Sequence, residues 1–188
     1  MQYLATGIRC LMMTVFLGAV VGKVATRASF KLFVTSVREM RLLPETLARP
    51  AALLVVATES AVCALLAFPF RAAVSVGFAV ATALLAVFTV GVLLVSRRQV
   101  RVSCRCFGAS STPLSARHVF RNALLVALAA VAAVAVAAGW ADGPTDPGGS
   151  VLAVCAGTLL GLLIVSLDNI VDLFRTEPKT PGVTRERR

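Results

Sequence analysis

Long apolar stretches, separated by clusters of charge, dominate the pattern of the chain. Three of them, 72–96, 122–141 and 147–167, contain no charged residue, and two others contain one charge each, Arg9 and Glu59. A helix that crosses a bilayer needs about 20 mostly apolar residues. The pattern therefore predicts an all-α, polytopic membrane protein. Its five spans lie at about 3–22, 50–70, 72–96, 119–139 and 151–174.

The first stretch has a second interpretation, a secretory signal peptide. Such a peptide has a basic n-region and ends in a small-x-small cleavage site. Here the only basic residue is Arg9, and no clean cleavage site follows the apolar run. We therefore interpret the stretch as a membrane span.

The segment 24–49 is too charged to cross a bilayer. Apolar side chains recur in it at helical spacing, at Phe30, Phe33, Val34 and Val37. The spacing predicts a short amphipathic helix on the membrane surface, which Pro44 ends. Pro50 suits the first turn of the next span.

Two segments outside the spans are also polar. Residues 140–150 are predicted to be a connector rich in Gly, Pro and Asp, and the basic tail 175–188 is predicted to be disordered.

Composition agrees with a membrane protein. Hydrophobic residues make up 58% of the chain and charged residues 15%, with a mean hydropathy of +0.86, whereas a soluble domain is nearer a quarter charged. The net charge of +10 does not indicate nucleic acid, because the basic residues fall in clusters between apolar runs. Membrane lipid is the expected partner, and the five cysteines do not form a disulfide framework.

The basic residues are divided unevenly between the two sides of the membrane. In a chain with five spans, all of the 19 lysines and arginines except Arg9 and Arg71 fall on one side. The positive-inside rule places that side in the cytoplasm, together with the loop between the third and fourth spans and the C-terminus.

That loop contains the candidate chemistry. Cys104 and Cys106 are separated by one residue, Arg105, and Arg101 lies three residues before Cys104. Positive charge nearby favours the thiolate, which is the reactive form. A disulfide in so small a ring is strained, and strained exposed disulfides tend to be catalytic or labile. Gly108 lets the backbone turn tightly towards the next helix. The motif predicts a thiol–disulfide redox pair.

Two other interpretations of the pair stay open: ordinary loop residues, or metal ligands. Zinc sites use four ligands, and His118 is the only further candidate nearby, so we predict no metal site unless a partner supplies the rest. The remaining cysteines, Cys10, Cys63 and Cys155, lie in apolar spans and are expected to be packing residues. Cys10 and Cys155 could approach each other if their helices pack.

Glu59 lies near the middle of the second predicted span, where an ionised group is costly unless it is paired. The candidate partners are Lys23, Arg9 and Arg121 for an ion pair, and Thr58 and Ser60 for hydrogen bonds. A protonated glutamate that packs the helices together is the alternative. Arg121 starts the fourth span on the cysteine side, where it would stabilise the Cys106 thiolate or extend to the interface.

Several segments resemble the MauE group of DoxX-related membrane proteins. CRCFG, followed after a short loop by RNALLVALAA, is similar to the signature of the group. VFLGAVVGKV and REMRLLPETLARPAALLVVATESAVCALL are similar to its first helix and to the segment that follows. The similarity spans about residues 10–135 and leaves out the fifth helix and the tail.

The resemblance implies that residues 1–139 form a four-helix membrane bundle related to DoxX proteins and vitamin K epoxide reductase. It matches Cys104 and Cys106 to the family's cysteine pair and Gly108 to the glycine that follows. It also matches four supporting residues to family positions: Lys23 in helix one, Glu59 in helix two, and Arg121 with Asn122 at the start of helix four. Arg105 lies between the two cysteines.

The family's role is in methylamine utilisation. There it is linked to maturation of the disulfide-rich small subunit of methylamine dehydrogenase, beside a thioredoxin-like protein. The Ala-, Val- and Arg-rich composition fits a high-GC actinobacterium. Segment 24–49 has no cysteine, so there is no second pair, and electrons would pass directly between the Cys104/Cys106 pair and a partner or a quinone.

The sequence therefore predicts an integral membrane thiol–disulfide redox protein. Its partner is a thioredoxin-like protein or a client protein with disulfides. The alternative is a non-enzymatic membrane scaffold or metal-binding accessory protein. The family role places the cysteine pair outside, where disulfides form, whereas the charge distribution places it inside, and the sequence leaves the side open.

Overall fold

The computed structural model describes residues 2–97, 116–140 and 146–174. Within these ranges the chain forms helices and no strand. The helices are α1 (Gln2–Val24), α2 (Arg27–Glu39), α3 (Glu45–Ala67), α4 (Arg71–Arg97), α5 (Ala116–Ala137) and α6 (Pro147–Phe174). All but α2 are long and apolar enough to cross a membrane. The prediction of an all-α polytopic membrane protein is confirmed.

Four of the helices pack in a closed ring. α1 packs against α3, α3 against α4, α4 against α5 and α5 against α1. Large apolar side chains fill the space between them, among them Met12, Phe16, Phe78, Leu85 and Leu125, which are buried. Since lipid tails are as apolar as these side chains, close packing holds such a ring together more than hydrophobicity does.

At the first end of the bundle, α1 and α4 begin and α3 and α5 end. Arg9 donates hydrogen bonds from Nε to the Leu66 carbonyl at 2.6 Å and from Nη2 to the Phe68 carbonyl at 2.7 Å. Arg71 donates in the same way to the last two carbonyls of α5, at 2.9 and 2.6 Å. The last carbonyls of a helix have no partner within it. Each arginine therefore caps the C-terminus of a neighbouring helix.

The opposite, second end of the bundle includes α2, which packs against α1 and α3. Thr26 caps α2, its Oγ1 accepting a hydrogen bond from Ser29 N at 3.0 Å. The short helix predicted after the first span is therefore present. It ends at Glu39 and not at Pro44, because Arg41 has a φ of 49°, outside the right-handed helical region. Pro44 is the N-cap residue of α3.

Two helices contain residues that the sequence pattern assigned elsewhere. α3 begins at Glu45, so Pro50 lies inside it and not in its first turn. α6 begins at Pro147, within the segment predicted as a connector. Gly149 N donates to Asp146 Oδ2 at 3.1 Å. Asp146 thus caps α6, and proline takes the first helical position, where its missing N–H costs nothing.

α6 lies outside the ring and packs along α1. Small residues make this contact close. A Cβ atom added at Gly157 would overlap the Gly7 carbonyl, and one added at Gly161 would lie 2.7 Å from Thr14 Cβ. Such residues let two membrane helices approach each other. The first span is therefore the central helix, in contact with α2, α3, α5 and α6.

Candidate functional site

A buried ion pair joins α1 to α3. Lys23 Nζ lies 2.7 Å from Glu59 Oε1 and 2.9 Å from Oε2, and the two side chains are 1% and 2% exposed. Removing a charge from water costs several kcal/mol, and here both carboxylate oxygens accept a hydrogen bond in return. Of the three basic residues considered as partners of Glu59, Lys23 is the one that forms the pair.

Three helices position the pair. Lys23 belongs to the last turn of α1, and helical side chains lean towards the N-terminus of their helix. Its Nζ consequently reaches back into the bundle, to 3.5 Å from the Ala19 carbonyl. Glu59 lies on the buried face of α3. Phe33 of α2 places its ring centroid 5.2 Å from Nζ, a cation–π contact. The pair thus ties α1, α2 and α3 together at the second end.

The other groups considered for Glu59 make different contacts. Arg9 caps α3 at the first end. Thr58 and Ser60 donate to the carbonyls four residues earlier in their own helix, at 2.8 and 2.9 Å. Successive residues on a helix point about 100° apart, so the neighbours of an inward-facing residue turn away from it. Their hydroxyls bond the backbone of α3 and not the carboxylate.

Two more polar side chains are buried on α5. Arg121 is 8% exposed and Asn122 is 1% exposed, so both side chains are covered by the protein. Asn122 Oδ1 has no hydrogen-bond partner within the described residues, although buried amide oxygens are ordinarily hydrogen-bonded.

The predicted catalytic loop is bounded by described helices. Outside the described residues lie Cys104, Arg105, Cys106 and Gly108. α4 ends at Arg97 and α5 begins at Ala116. Arg71, the first residue of α4, caps the last turn of α5 at the first end. The end of α4 and the start of α5 therefore both lie at the second end. Lys23, Arg121 and Asn122 are therefore buried at the end of the bundle where the cysteine loop begins and ends, and Glu59, from the middle of α3, pairs with Lys23 there.

Of the other cysteines, Cys63 follows Glu59 by one turn of α3 and lies close to it, and Cys10 and Cys155 lie on α1 and α6. Cys10, Cys63 and Cys155 are free thiols. α1 and α6 do pack together, but glycines form their contact, and Cys155 is exposed. Within the described residues, no three His, Cys, Asp or Glu side chains converge as a metal site requires. The side chain of His118 lies outside that part of the chain, as the cysteine pair does.

Residues 1–138 match the family model of methylamine utilisation protein MauE. The chain belongs to the MauE family. The family resemblance found in the sequence is therefore confirmed, and the match covers α1 to α5, the whole of the ring, but not α6. No curated protein and no solved structure matches the chain. With five helices able to cross a bilayer, this MauE family member is a multi-pass protein of the cell membrane.

Proposed function

We propose that this MauE family member is an integral membrane thiol–disulfide redox protein. Cys104 and Cys106 cycle between a dithiol and a disulfide, and they exchange electrons with a thioredoxin-like partner or assist disulfide formation in a client protein. The observation that carries the proposal is the buried Lys23–Glu59 pair, whose lysine belongs to the last turn of α1, at the end of the bundle where the cysteine loop begins and ends.

The cost of that pair supports a functional role. Replacing a buried ion pair by apolar residues of similar volume is often neutral or stabilising. An ionisable group within a membrane span is a functional candidate by default. The bundle nevertheless keeps Lys23, Arg121 and Asn122 buried towards one end, and Glu59 of α3 pairs with Lys23. Their restriction to that end favours chemistry there.

The proposed reaction transfers two electrons. A thiolate of the reduced partner attacks the Cys104–Cys106 disulfide and forms a mixed disulfide, and the second thiol of the partner then resolves it. The partner leaves oxidised, and Cys104 and Cys106 are left as thiols. To restore their disulfide, the two thiols give up two electrons and two protons, either to an oxidised partner or to a quinone that becomes a quinol.

The supporting residues act through charge and position. Arg101, Arg105 and Arg121 favour the thiolate form of the pair. Lys23 and Glu59 fix α1 against α3 at the same end. Gly108 and Asn122 complete the set that the family resemblance assigns. As part of the proposal, the ring of α1, α3, α4 and α5 is the four-helix bundle of DoxX proteins and vitamin K epoxide reductase.

The test compares Cys104→Ser, Cys106→Ser and the double variant with Cys155→Ser, a control at an exposed thiol on α6. Cells that express each full-length chain are quenched with acid, and their thiols are alkylated with a high-mass maleimide. We expect a reversible disulfide in the wild type and in Cys155→Ser. One of the two single variants should accumulate a mixed disulfide with the partner, and the double variant should form neither.

The scaffold alternative makes the opposite prediction. Under it, both single variants and the double variant retain full function and capture the same partner as the wild type. That result would overturn the redox proposal, because a thiol exchange cannot proceed without its thiols.

A further inference from the structure

A groove of about 830 Å³ separates α2 from α3 at the second end of the bundle. Neither Lys23 nor Glu59 lines it, so it is distinct from the buried ion pair. One wall is the face of α2 that contains Arg27, Lys31 and Arg38, and the other is the face of α3 that begins at Arg49. The proposal that follows does not depend on the cysteine pair.

The rim of the groove is positively charged. Four basic side chains line it, Arg27, Lys31, Arg38 and Arg49, and all four are exposed. Within the described part of the chain no carboxylate lines the groove, and none forms an ion pair with these four. Arg27, Lys31 and Arg38 fall on one helical face because their spacing is close to whole turns. Such a concave cluster attracts anions.

The floor of the groove is apolar and lies deeper. Leu53 and Val56 follow Arg49 by one and two turns of α3. At a rise of 1.5 Å per residue they lie about 6 and about 10 Å further along the helix axis. α3 is one of the five candidate membrane spans, so this direction leads into the bilayer. From α2, Phe30 and Val34 line the same space.

We propose that this groove binds an anionic phospholipid. The headgroup phosphate lies among Arg27, Lys31, Arg38 and Arg49, and one acyl chain lies along Leu53 and Val56. Basic pockets between membrane helices recognise anionic headgroups in this way. A lipid fits the groove better than an acidic protein segment does, because the apolar floor is reached from within the bilayer, where a polar peptide backbone is poorly solvated.

The test measures lipid binding to the purified full-length protein by native mass spectrometry. The probes are phosphatidylglycerol and phosphatidylcholine with identical acyl chains. Lys31→Gln/Arg38→Gln removes two charges from the groove, and Arg41→Gln/Arg97→Gln is the matched control. The control removes the same charge from exposed residues of the same end that do not line the groove. We expect the groove variant to lose phosphatidylglycerol affinity by roughly 25-fold, at about fivefold per charge, and the control by less than about twofold.

A second variant tests the apolar floor. Leu53→Trp fills the groove without changing its charge, and Leu53 is exposed, so the substitution leaves the buried core intact. We expect it to weaken phosphatidylglycerol binding as well, whereas glycerol 3-phosphate should not compete with the lipid. Equal losses in the two charge variants would overturn the proposal in favour of general surface charge. Competition by glycerol 3-phosphate, or by polyglutamate, would overturn it in favour of a soluble anion site or a protein-docking surface.

Discussion

The two ends of the bundle use basic side chains in different ways. At the first end, Arg9 and Arg71 each donate two hydrogen bonds to the terminal carbonyls of a neighbouring helix. At the second end, Lys23 contacts a carboxylate in the interior, and Arg121 is buried as well. Helix capping accounts for the cations of the first end. It does not account for the buried charges of the second end, which is why we place the chemistry there.

The comparison also bears on orientation in the membrane. Arg9 and Arg71 are the only two basic residues on the minority side, and both have a structural use in capping. When these two residues are set aside, the five-span topology assigns every other lysine and arginine of the sequence to the side of the second end. The positive-inside rule therefore predicts a cytoplasmic second end. Disulfides in that compartment are usually transient and catalytic, which agrees with a cysteine pair that cycles.

The largest expected effect is an all-or-none difference in labelling between the two ends. The test uses a chain in which Cys104 and Cys106 are replaced by Ser. One variant adds Phe70→Cys at the first end, where Phe70 is 67% exposed, and the other adds Leu43→Cys at the second end, where Leu43 is 44% exposed. Intact cells are treated with a membrane-impermeant maleimide. We expect Phe70→Cys to react at once and Leu43→Cys to react only after permeabilisation. The reverse result would place the cysteine pair outside and favour oxidative maturation of a client.

The second prediction concerns the stability of the ion pair. Lys23→Met or Glu59→Leu alone leaves a buried charge without its partner, and we expect each to lower the free energy of unfolding by about 3–5 kcal/mol. Lys23→Met/Glu59→Leu removes both charges and should come within about 1 kcal/mol of the wild type. The measurement is an unfolding titration with SDS in mixed micelles.

The double variant also separates function from stability. If Lys23 and Glu59 serve the redox site, the double variant folds but exchanges disulfides more slowly than the wild type. A double variant that is stable and fully active would show that the pair only specifies helix packing. Single variants that cost less than about 1 kcal/mol would show that water reaches the pair.

The membrane spans could be predicted from the sequence because the spacing of charges reports bilayer thickness directly. The choice among Lys23, Arg9 and Arg121 as the partner of Glu59 could not, since the sequence does not state which helices are neighbours. The sequence predicts Phe33 as one of the apolar residues of an amphipathic helix on the membrane surface, and in the structure it is buried against Lys23. Asp146 followed by proline is a helix-start signal that a turn-rich composition concealed.

The third prediction turns to the first end and is smaller. Arg9→Gln and Arg71→Gln each remove charged donors from helix-terminal carbonyls. Hydrogen bonds to charged groups contribute about 1.5–3 kcal/mol, but carbonyls at a membrane boundary can bond to water instead. We therefore expect a loss of about 1–2 kcal/mol for each variant, with the disulfide exchange rate unchanged. A slower exchange in either variant would mean that the first end also contributes to the chemistry.

The smallest effect is expected at Asn122, and its sign is the informative part. A buried amide oxygen without a hydrogen-bond partner costs about 1–3 kcal/mol, and Asn122 Oδ1 has none within the described residues. The leucine side chain has the same branching and the same number of heavy atoms as asparagine. Asn122→Leu should therefore raise the free energy of unfolding by about 1 kcal/mol while it slows disulfide exchange. Leu125→Asn, three residues further along the same helix and fully buried, is the reverse change and should lower stability. If Asn122→Leu destabilised the protein as Leu125→Asn does, the amide would serve the fold, and the second end would resemble the first in using its polar groups for structure.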